Sequence, residues 1–408
     1  MSAIGHAALD ERLRGQWLQA RRRAGEGFFA PRAEEVARLC HRMAERFARG
    51  GRLLAIGVSP AARSDVRHVA VEFVHPVIVG KRALPALGLV GESAPVDVEL
   101  ELAAEPDDIV IGFGEPGDGQ TLSDAVAAAR RRGCLTLAFS ALGAEFELEP
   151  PSDDPFIRQE LCETAYHVLW ELVHVFFEHR GLLGGRTEHR VHDAGASSFL
   201  YPFLGEREHD LEAVLADVAR SVVMKADEVQ ALRGATLSGS GAALAHSAEA
   251  LRRAFERGGR LLALGNGGSA TDAMDVVADF VSPPPERGWR LRPALDLTAD
   301  TAIITALAND IGTEAIFARQ VIAYGRPGDV LVSLSTSGNS LSVLAALAEA
   351  RRRELTTVAM VGYDGGRVAA EALADHIVIS PSQHIPRIQE AHATAYHLLR
   401  ELTELEPG

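Results

Sequence analysis

Short, unbroken apolar runs recur along the chain, each followed by a glycine-rich turn and then a helical pattern. LLAIG, DIVIGF and LTLAF mark the first half; LLALG, DVLVSLS and TTVAMV mark the second. None shows the apolar–polar alternation of a half-exposed strand. They therefore predict parallel strands covered on both faces. A long helical pattern precedes the first run of each half, over 34–48 and 208–257, and the runs themselves occupy 52–57 and 260–265. The rhythm predicts an α/β fold. Sheets of this kind bind ligands beyond the carboxyl ends of their strands, so the residues just after each run carry the chemical interest.

The rhythm is also a sequence repeat. FARGGRLLAIG at 47–57 matches FERGGRLLALG at 255–265, with nine of eleven residues identical. AAARRRGCLTLAFS at 127–140 answers AEARRRELTTVAMV at 348–361, and IRQELCETAYHVLWELV at 157–173 answers RIQEAHATAYHLLRELT at 387–403. Three matches in one order imply a duplication. The expected division is one domain over 1–180, a glycine-rich polar linker over 181–205 and a second domain over 206–408. His179, His189 and His192, in and beside that linker, read as solvated side chains rather than a metal tract.

Composition narrows the class. The chain has 408 residues, 47 % hydrophobic and 24 % charged, as expected of globular domains. Its net charge of −15 argues against nucleic acid or an anionic membrane surface as partner. No apolar run reaches the roughly 18 residues of a membrane span, and the first residues lack the apolar stretch of a signal peptide. Cys40, Cys134 and Cys162 are too few and too scattered for a disulfide framework or a thiolate zinc site. A cytoplasmic location is expected.

Two loops in the second half have the makings of an anion seat. GNGGSATDA at 265–273 follows the strand LLAL and places Ser269 at the opening of a helix. SLSTSGNSLSVLAAL at 333–347 gathers Ser335, Thr336, Ser337 and Ser340 around Gly338 and Asn339. Backbone N–H groups at a helix start, together with four hydroxyls, can surround phosphate oxygens without any Lys or Arg. A helix cap alone needs one hydroxyl, not four.

Together with TADTAIITALANDIG at 298–312, FARQV at 317–321 and PRIQEAH at 386–392, these loops resemble the phosphoheptose isomerase branch of the SIS (sugar isomerase) family. The resemblance covers the whole second half and, more faintly, the first. It implies two SIS domains, each a three-layer α/β/α sandwich with a five-stranded parallel sheet of flavodoxin-like type. It also implies that Ser269, Ser335, Thr336, Ser337 and Ser340 bind the phosphate of a sugar phosphate. Asn266, Asp300 and Thr301 match positions that face the sugar. The implied assembly is a homodimer in which four SIS domains imitate the family's usual tetramer.

The same resemblance implies a divalent metal, often zinc, held by a His and a Glu four residues apart and a Gln and a His eight apart. The first half fills all four positions, with His68, Glu72, Gln159 and His167. Glu72 and His167 would then be acid–base residues. The second half keeps Gln389 and His397 but carries Asp275 and Asp279, an alternative metal set in which Asp279 and His397 would be catalytic. Gln389 also matches a substrate-facing position. Conversely, the first half has lost the loops. GVSPAA stands at 57–62, and GFGEPGDGQTLSDA at 112–125 brings Glu115 and Asp118, whose charge would repel phosphate. Such complementary losses suggest a composite site formed where copies of the chain meet.

The implied activity is aldose–ketose isomerisation of a phosphorylated sugar, sedoheptulose 7-phosphate or a relative, through an enediol with metal assistance. A sugar-phosphate sensor or scaffold without catalysis is the alternative. The kept metal positions favour the enzyme, and Asp275 and Asp279 favour the sensor.

Overall fold

A computed structural model describes residues 11–77, 81–114, 118–178, 183 and 210–405. The linker histidines and Glu115 lie outside the described residues, as does all of 181–205 except Leu183. Contacts divide the chain into two units, Arg23–Asp227 and Met1–Arg22 with Glu228–Gly408.

The first unit takes most of α1 (Glu11–Ala48) and then runs β1 (Leu53–Ile56), α2 (Pro60–Val74), β2 (Ala86–Leu89), α3 (Val96–Ala103), β3 (Ile109–Gly112), α4 (Gly119–Arg132), β4 (Leu135–Ala138), β5 (Phe146–Glu147) and α5 (Pro155–Glu178). Its strands form one sheet in the order β2-β1-β3-β4-β5, with every pairing parallel. The apolar runs behave as the pattern predicts. Leu53, Ala55, Ile109, Ile111, Leu135 and Leu137 feed a core against α1, α2 and α5. Leu54, Ile56, Val110 and Ala138, one residue out of phase, feed a second core against α3 and α4. Successive side chains point to opposite faces, so a strand buried on both faces must be apolar throughout.

The second unit repeats this plan with α6 (Leu211–Glu256), β6 (Leu261–Leu264), α7 (Gly268–Val281), β7 (Ala294–Asp296), α8 (Thr301–Asp310), α9 (Ile316–Tyr324), β8 (Val330–Ser335), α10 (Leu341–Arg352), β9 (Thr356–Gly362), α11 (Gly366–Ala370), β10 (His376–Ser380) and α12 (Ile385–Glu404). Its sheet order is β7-β6-β8-β9-β10, again all parallel. One face packs on α6, α7 and α12, the other on α9 and α10. Both units are thus three-layer α/β/α sandwiches with the doubly wound order, whose ligand crevice opens where neighbouring strands send their chains to opposite faces. In the second unit that point lies between β6 and β8.

Segments are exchanged at the unit boundaries. Trp17 and Leu18 of α1 pack on the second unit's core, whereas Phe28 and the residues after it pack on the first. Likewise Val214, Val218 and Val222 of α6 belong to the first unit's core, and Leu237 and Leu244 to the second. Among the described residues no helix is long and apolar enough to cross a membrane.

Candidate functional site

The two loops singled out in the second half follow β6 and β8, at the switch point. After β6 the chain turns through Gly265, Asn266 and Gly267 into α7. A side chain at Gly265 would lie 2.1 Å from the Ser269 carbonyl oxygen, so only glycine fits the turn. After β8, Gly338 adopts φ +61°, and a Cβ there would lie 2.2 Å from the Gly365 carbonyl oxygen. Asn339 ties this loop down. Its side-chain amide donates to the Ser337 carbonyl at 2.9 Å, and its side-chain oxygen accepts from the Arg367 backbone N–H at 2.9 Å.

Both helices that leave these loops start without a side-chain cap: Gly267 precedes α7 and Ser340 precedes α10, and neither supplies a capping hydrogen bond. The free N–H groups of a helix start, with the positive end of its dipole, favour an anion. Ser269 and Ser335 are buried, and Thr336 and Ser337 are half-buried. Asn266 is exposed, and its amide donates to Ser340 Oγ at 2.9 Å and Ser342 Oγ at 3.0 Å, joining the two loops. Ser342 was not singled out from the sequence, although it stands two residues after Ser340. Asp300 caps α8 by accepting from the Ile303 N–H at 3.0 Å, and Thr301 beside it is exposed.

The equivalent loop of the first unit is closed on itself. Ser59 caps α2, accepting from the Ala62 N–H at 3.2 Å, and the following Pro60 removes another donor. Further on, α4 has Asp118 as its N-cap residue, an acid where the second unit has a neutral loop.

Behind each loop lies a seam between two helices, α2 against α5 and α7 against α12. In the first seam His68 and His167 are buried with their Nε2 atoms 3.4 Å apart, and Glu72 Oε1 lies 3.9 Å from His68 Nε2. Burial, reinforced by His167, holds His68 well below the usual imidazole range, so it is neutral at pH 7. Tyr166 packs edge-on against both rings. Glu163, which sequence reasoning missed, completes a group with His68 and His167 whose ligand atoms all lie within 4.8 Å of one another. Two imidazoles and a carboxylate are a donor set that suits zinc. Gln159, expected as a ligand, is half-buried one turn before Glu163.

In the second seam the Tyr396 hydroxyl donates to Asp275 at 3.2 Å, and His397 Nε2 lies 3.9 Å from Asp279 Oδ2. Gln389, Asp275, Asp279 and His397 are all buried. Arg400 fixes the end of α7, donating to the Asp279 backbone carbonyl at 2.8 Å. Among the described residues no His, Cys, Asp and Glu in this seam form a metal-sized group.

Comparison with known proteins places this geometry. The family model described as "SIS domain" matches residues 226–362. A phosphoheptose isomerase of Roseiflexus sp. (strain RS-1) is 47 % identical over 163 residues, covering 38 % of this chain and 78 % of that protein. Another, from Nitratidesulfovibrio vulgaris, is 40 % identical over 197 residues, covering 47 % of this chain and 90 % of that protein. Across both units, the solved C-terminal domain of glucosamine-fructose-6-phosphate aminotransferase from Francisella tularensis aligns over 99 % of this chain and 97 % of its own, with a TM-score of 0.56 and 10 % identity, which establishes the shared fold.

Proposed function

The chain belongs to the SIS-domain family, in its phosphoheptose isomerase branch, and from that premise we propose that its second unit binds a phosphorylated sugar and interconverts its aldose and ketose forms. The observation that carries this reading is the paired, uncapped starts of α7 and α10 at the switch point, surrounded by Ser269, Ser335, Thr336, Ser337 and Ser340. The phosphate accepts from the N–H groups and hydroxyls there. Asn266 keeps the two loops in register through Ser340 and Ser342.

The rest of the sugar extends along α7. Asp275 and Asp279 stand six and ten residues beyond Ser269, or about 9 and 15 Å along the axis at 1.5 Å per residue. Isomerisation removes a proton from one carbon next to the carbonyl and returns it to the neighbouring carbon. Asp279 takes and returns that carbon proton, and His397 moves the proton between the two oxygens; together they form the acid–base pair. Asp300, Thr301 and Gln389 orient the hydroxyls. A divalent cation, when bound, supplies Lewis acidity and a fixed positive charge. Its donor chemistry is met by His68, Glu163 and His167 in the first unit, where the phosphate loop is absent.

Sedoheptulose 7-phosphate is the substrate to offer first, in deuterium oxide with NMR detection. The reading predicts an aldose product carrying solvent deuterium at carbon 2, because the enediol exchanges its proton. The second reading, binding without turnover, rests on the Tyr396 hydroxyl that occupies Asp275. Saturable binding with neither product nor deuterium exchange would select it.

A further inference from the structure

We propose that Tyr363 is a substrate-positioning residue of the second unit, whose ring packs against the carbon chain of the sugar held in the phosphate seat. The proposal rests on the reading of that unit as a sugar-phosphate site. Its first ground is backbone strain. Among the described residues three other than glycine have positive φ: Glu354, Tyr363 and Ala372. Two of them end helices, where a left-handed residue is ordinary. Glu354 follows α10, and the next N–H, of Leu355, donates to the Ala350 carbonyl at 3.0 Å. Ala372 follows α11, and the Leu373 N–H donates to the Val368 carbonyl at 2.9 Å. Tyr363, at φ +52°, ends no helix. It is the first central residue of a turn after β9, closed by the Gly365 N–H donating to the Gly362 carbonyl at 2.8 Å. Asp364, the second central residue, has an ordinary negative φ. Glycine is the usual residue where only the first central position of a turn has positive φ. Strain of this kind persists where the surrounding structure enforces it, and it gathers at ligand sites.

The second ground is position. Ser335 of β8 pairs with Val361 of β9, and Tyr363 stands two residues past Val361 as Ser337 stands two past Ser335. The seat and the turn are joined on both sides of Tyr363. Gly362 donates its N–H to the Thr336 carbonyl at 3.0 Å, and Val368 donates its own to the Gly338 carbonyl at 3.2 Å. Gly366 comes so near that a Cβ there would lie 2.3 Å from the Ser337 carbonyl oxygen. Tyr363 is half-buried, yet it belongs to neither apolar core of its unit, so core packing does not account for the strain. The loops of the seat offer Gly, Ser, Thr and Asn, which are donors for phosphate but no apolar surface for the carbons beside it. An aromatic ring next to the seat supplies one.

The third ground is the first unit. The repeat that aligns 127–140 with 348–361 puts Leu142 opposite Tyr363. Leu142 is buried in the first unit's core with ordinary backbone. Where the phosphate loop is lost, the equivalent side chain fills the core; where it is kept, a strained aromatic stands outside the core.

The test is a series at one position. Tyr363→Phe, Tyr363→Ala and Tyr363→Gly are made in the full chain, titrated calorimetrically with sedoheptulose 7-phosphate and melted without it. Binding should follow the ring: Tyr363→Phe should keep the affinity of the unsubstituted chain, and Tyr363→Ala and Tyr363→Gly should each lose about 10-fold. Melting should follow the backbone: Tyr363→Gly alone should melt about 2–4 °C higher, because only glycine relaxes the turn. A purely structural role would instead make binding follow melting. Should Tyr363→Gly fail to fold, the Phe and Ala variants still decide. Unchanged affinity in Tyr363→Ala, a loss in Tyr363→Phe as large as that in Tyr363→Ala, or a folded Tyr363→Gly that melts no higher would each overturn the proposal and leave the sugar-phosphate reading standing. Absence of binding by the unsubstituted chain would overturn that reading and the proposal together.

Discussion

The chain builds the same helix seam twice and fills it with opposite chemistry. Between α2 and α5 the polar groups are two imidazoles and the carboxylates of Glu72 and Glu163; between α7 and α12 they are Asp275, Asp279, His397 and the Tyr396 hydroxyl. The loops in front diverge in the other direction. In the first unit Ser59 and Pro60 satisfy or remove the N–H groups at the start of α2. In the second, neither α7 nor α10 has a side-chain cap. The difference teaches how a duplicated domain divides its labour. A helix start that caps itself is worth stability, and one left open is worth binding. The same residue type, serine, serves either end according to whether its hydroxyl turns back to its own backbone.

The sharpest break in the comparison is at the acid–base pair. His397→Gln should lower kcat by about 10²–10⁴-fold with little change in KM, the range typical of removing a general acid or base; steady-state kinetics on sedoheptulose 7-phosphate reads it. Next is the loop itself. Gly338→Ala puts a Cβ at φ +61° against the Gly365 carbonyl oxygen. Backbone strain of that kind costs up to about 3 kcal/mol, so sugar-phosphate affinity should fall by about 100-fold in a calorimetric titration.

A third test uses a position where the halves differ within their cores. His392 is fully buried, and the burial pushes its imidazole down to about 4 from 6.5, with the Val361 backbone opposing the shift. The folded pKa is the lower one. Between pH 6.5 and 4 the unfolded chain therefore takes up a proton that the folded chain refuses. Stability is complete above about 6.5 and is lost as the pH falls through that window. His392 should cost about 2 kcal/mol between pH 7 and 5, measured by urea unfolding. In His392→Cys, which copies Cys162 of the first repeat, that part of the acid slope should vanish. The smallest effects pair two serines. Ser337→Ala should weaken sugar-phosphate binding about 10-fold, the loss of one hydrogen bond to a charged group. Ser59→Ala should leave binding unchanged and cost about 1 kcal/mol of stability, the loss of a cap.

Much of the fold was legible in the sequence, because strands buried on both faces must be apolar throughout and glycines mark the turns that follow them. The proposed seat also rests on a signal in the sequence, since the four hydroxyls from the end of β8 to the start of α10 exceed what a cap needs. Other features were not. The exchange of the α1 and α6 segments leaves no mark, because an apolar stripe shows that a helix is buried but not which core buries it. Glu163 was passed over although its signal was present: Gln159, Glu163 and His167 recur every four residues on one face of α5. Asn266 was expected at the sugar, and in the structure its amide bridges Ser340 and Ser342, a link between loops 74 and 76 residues apart that no local pattern encodes.

The central claim is that one half of the chain, the second, seats the phosphate. Calorimetric titration of the full chain with sedoheptulose 7-phosphate, beside the Ser335→Ala/Ser337→Ala double variant, tests it most directly. The account predicts one site per chain and its loss in the double variant. Two sites per chain, or binding that survives the double substitution, would contradict it.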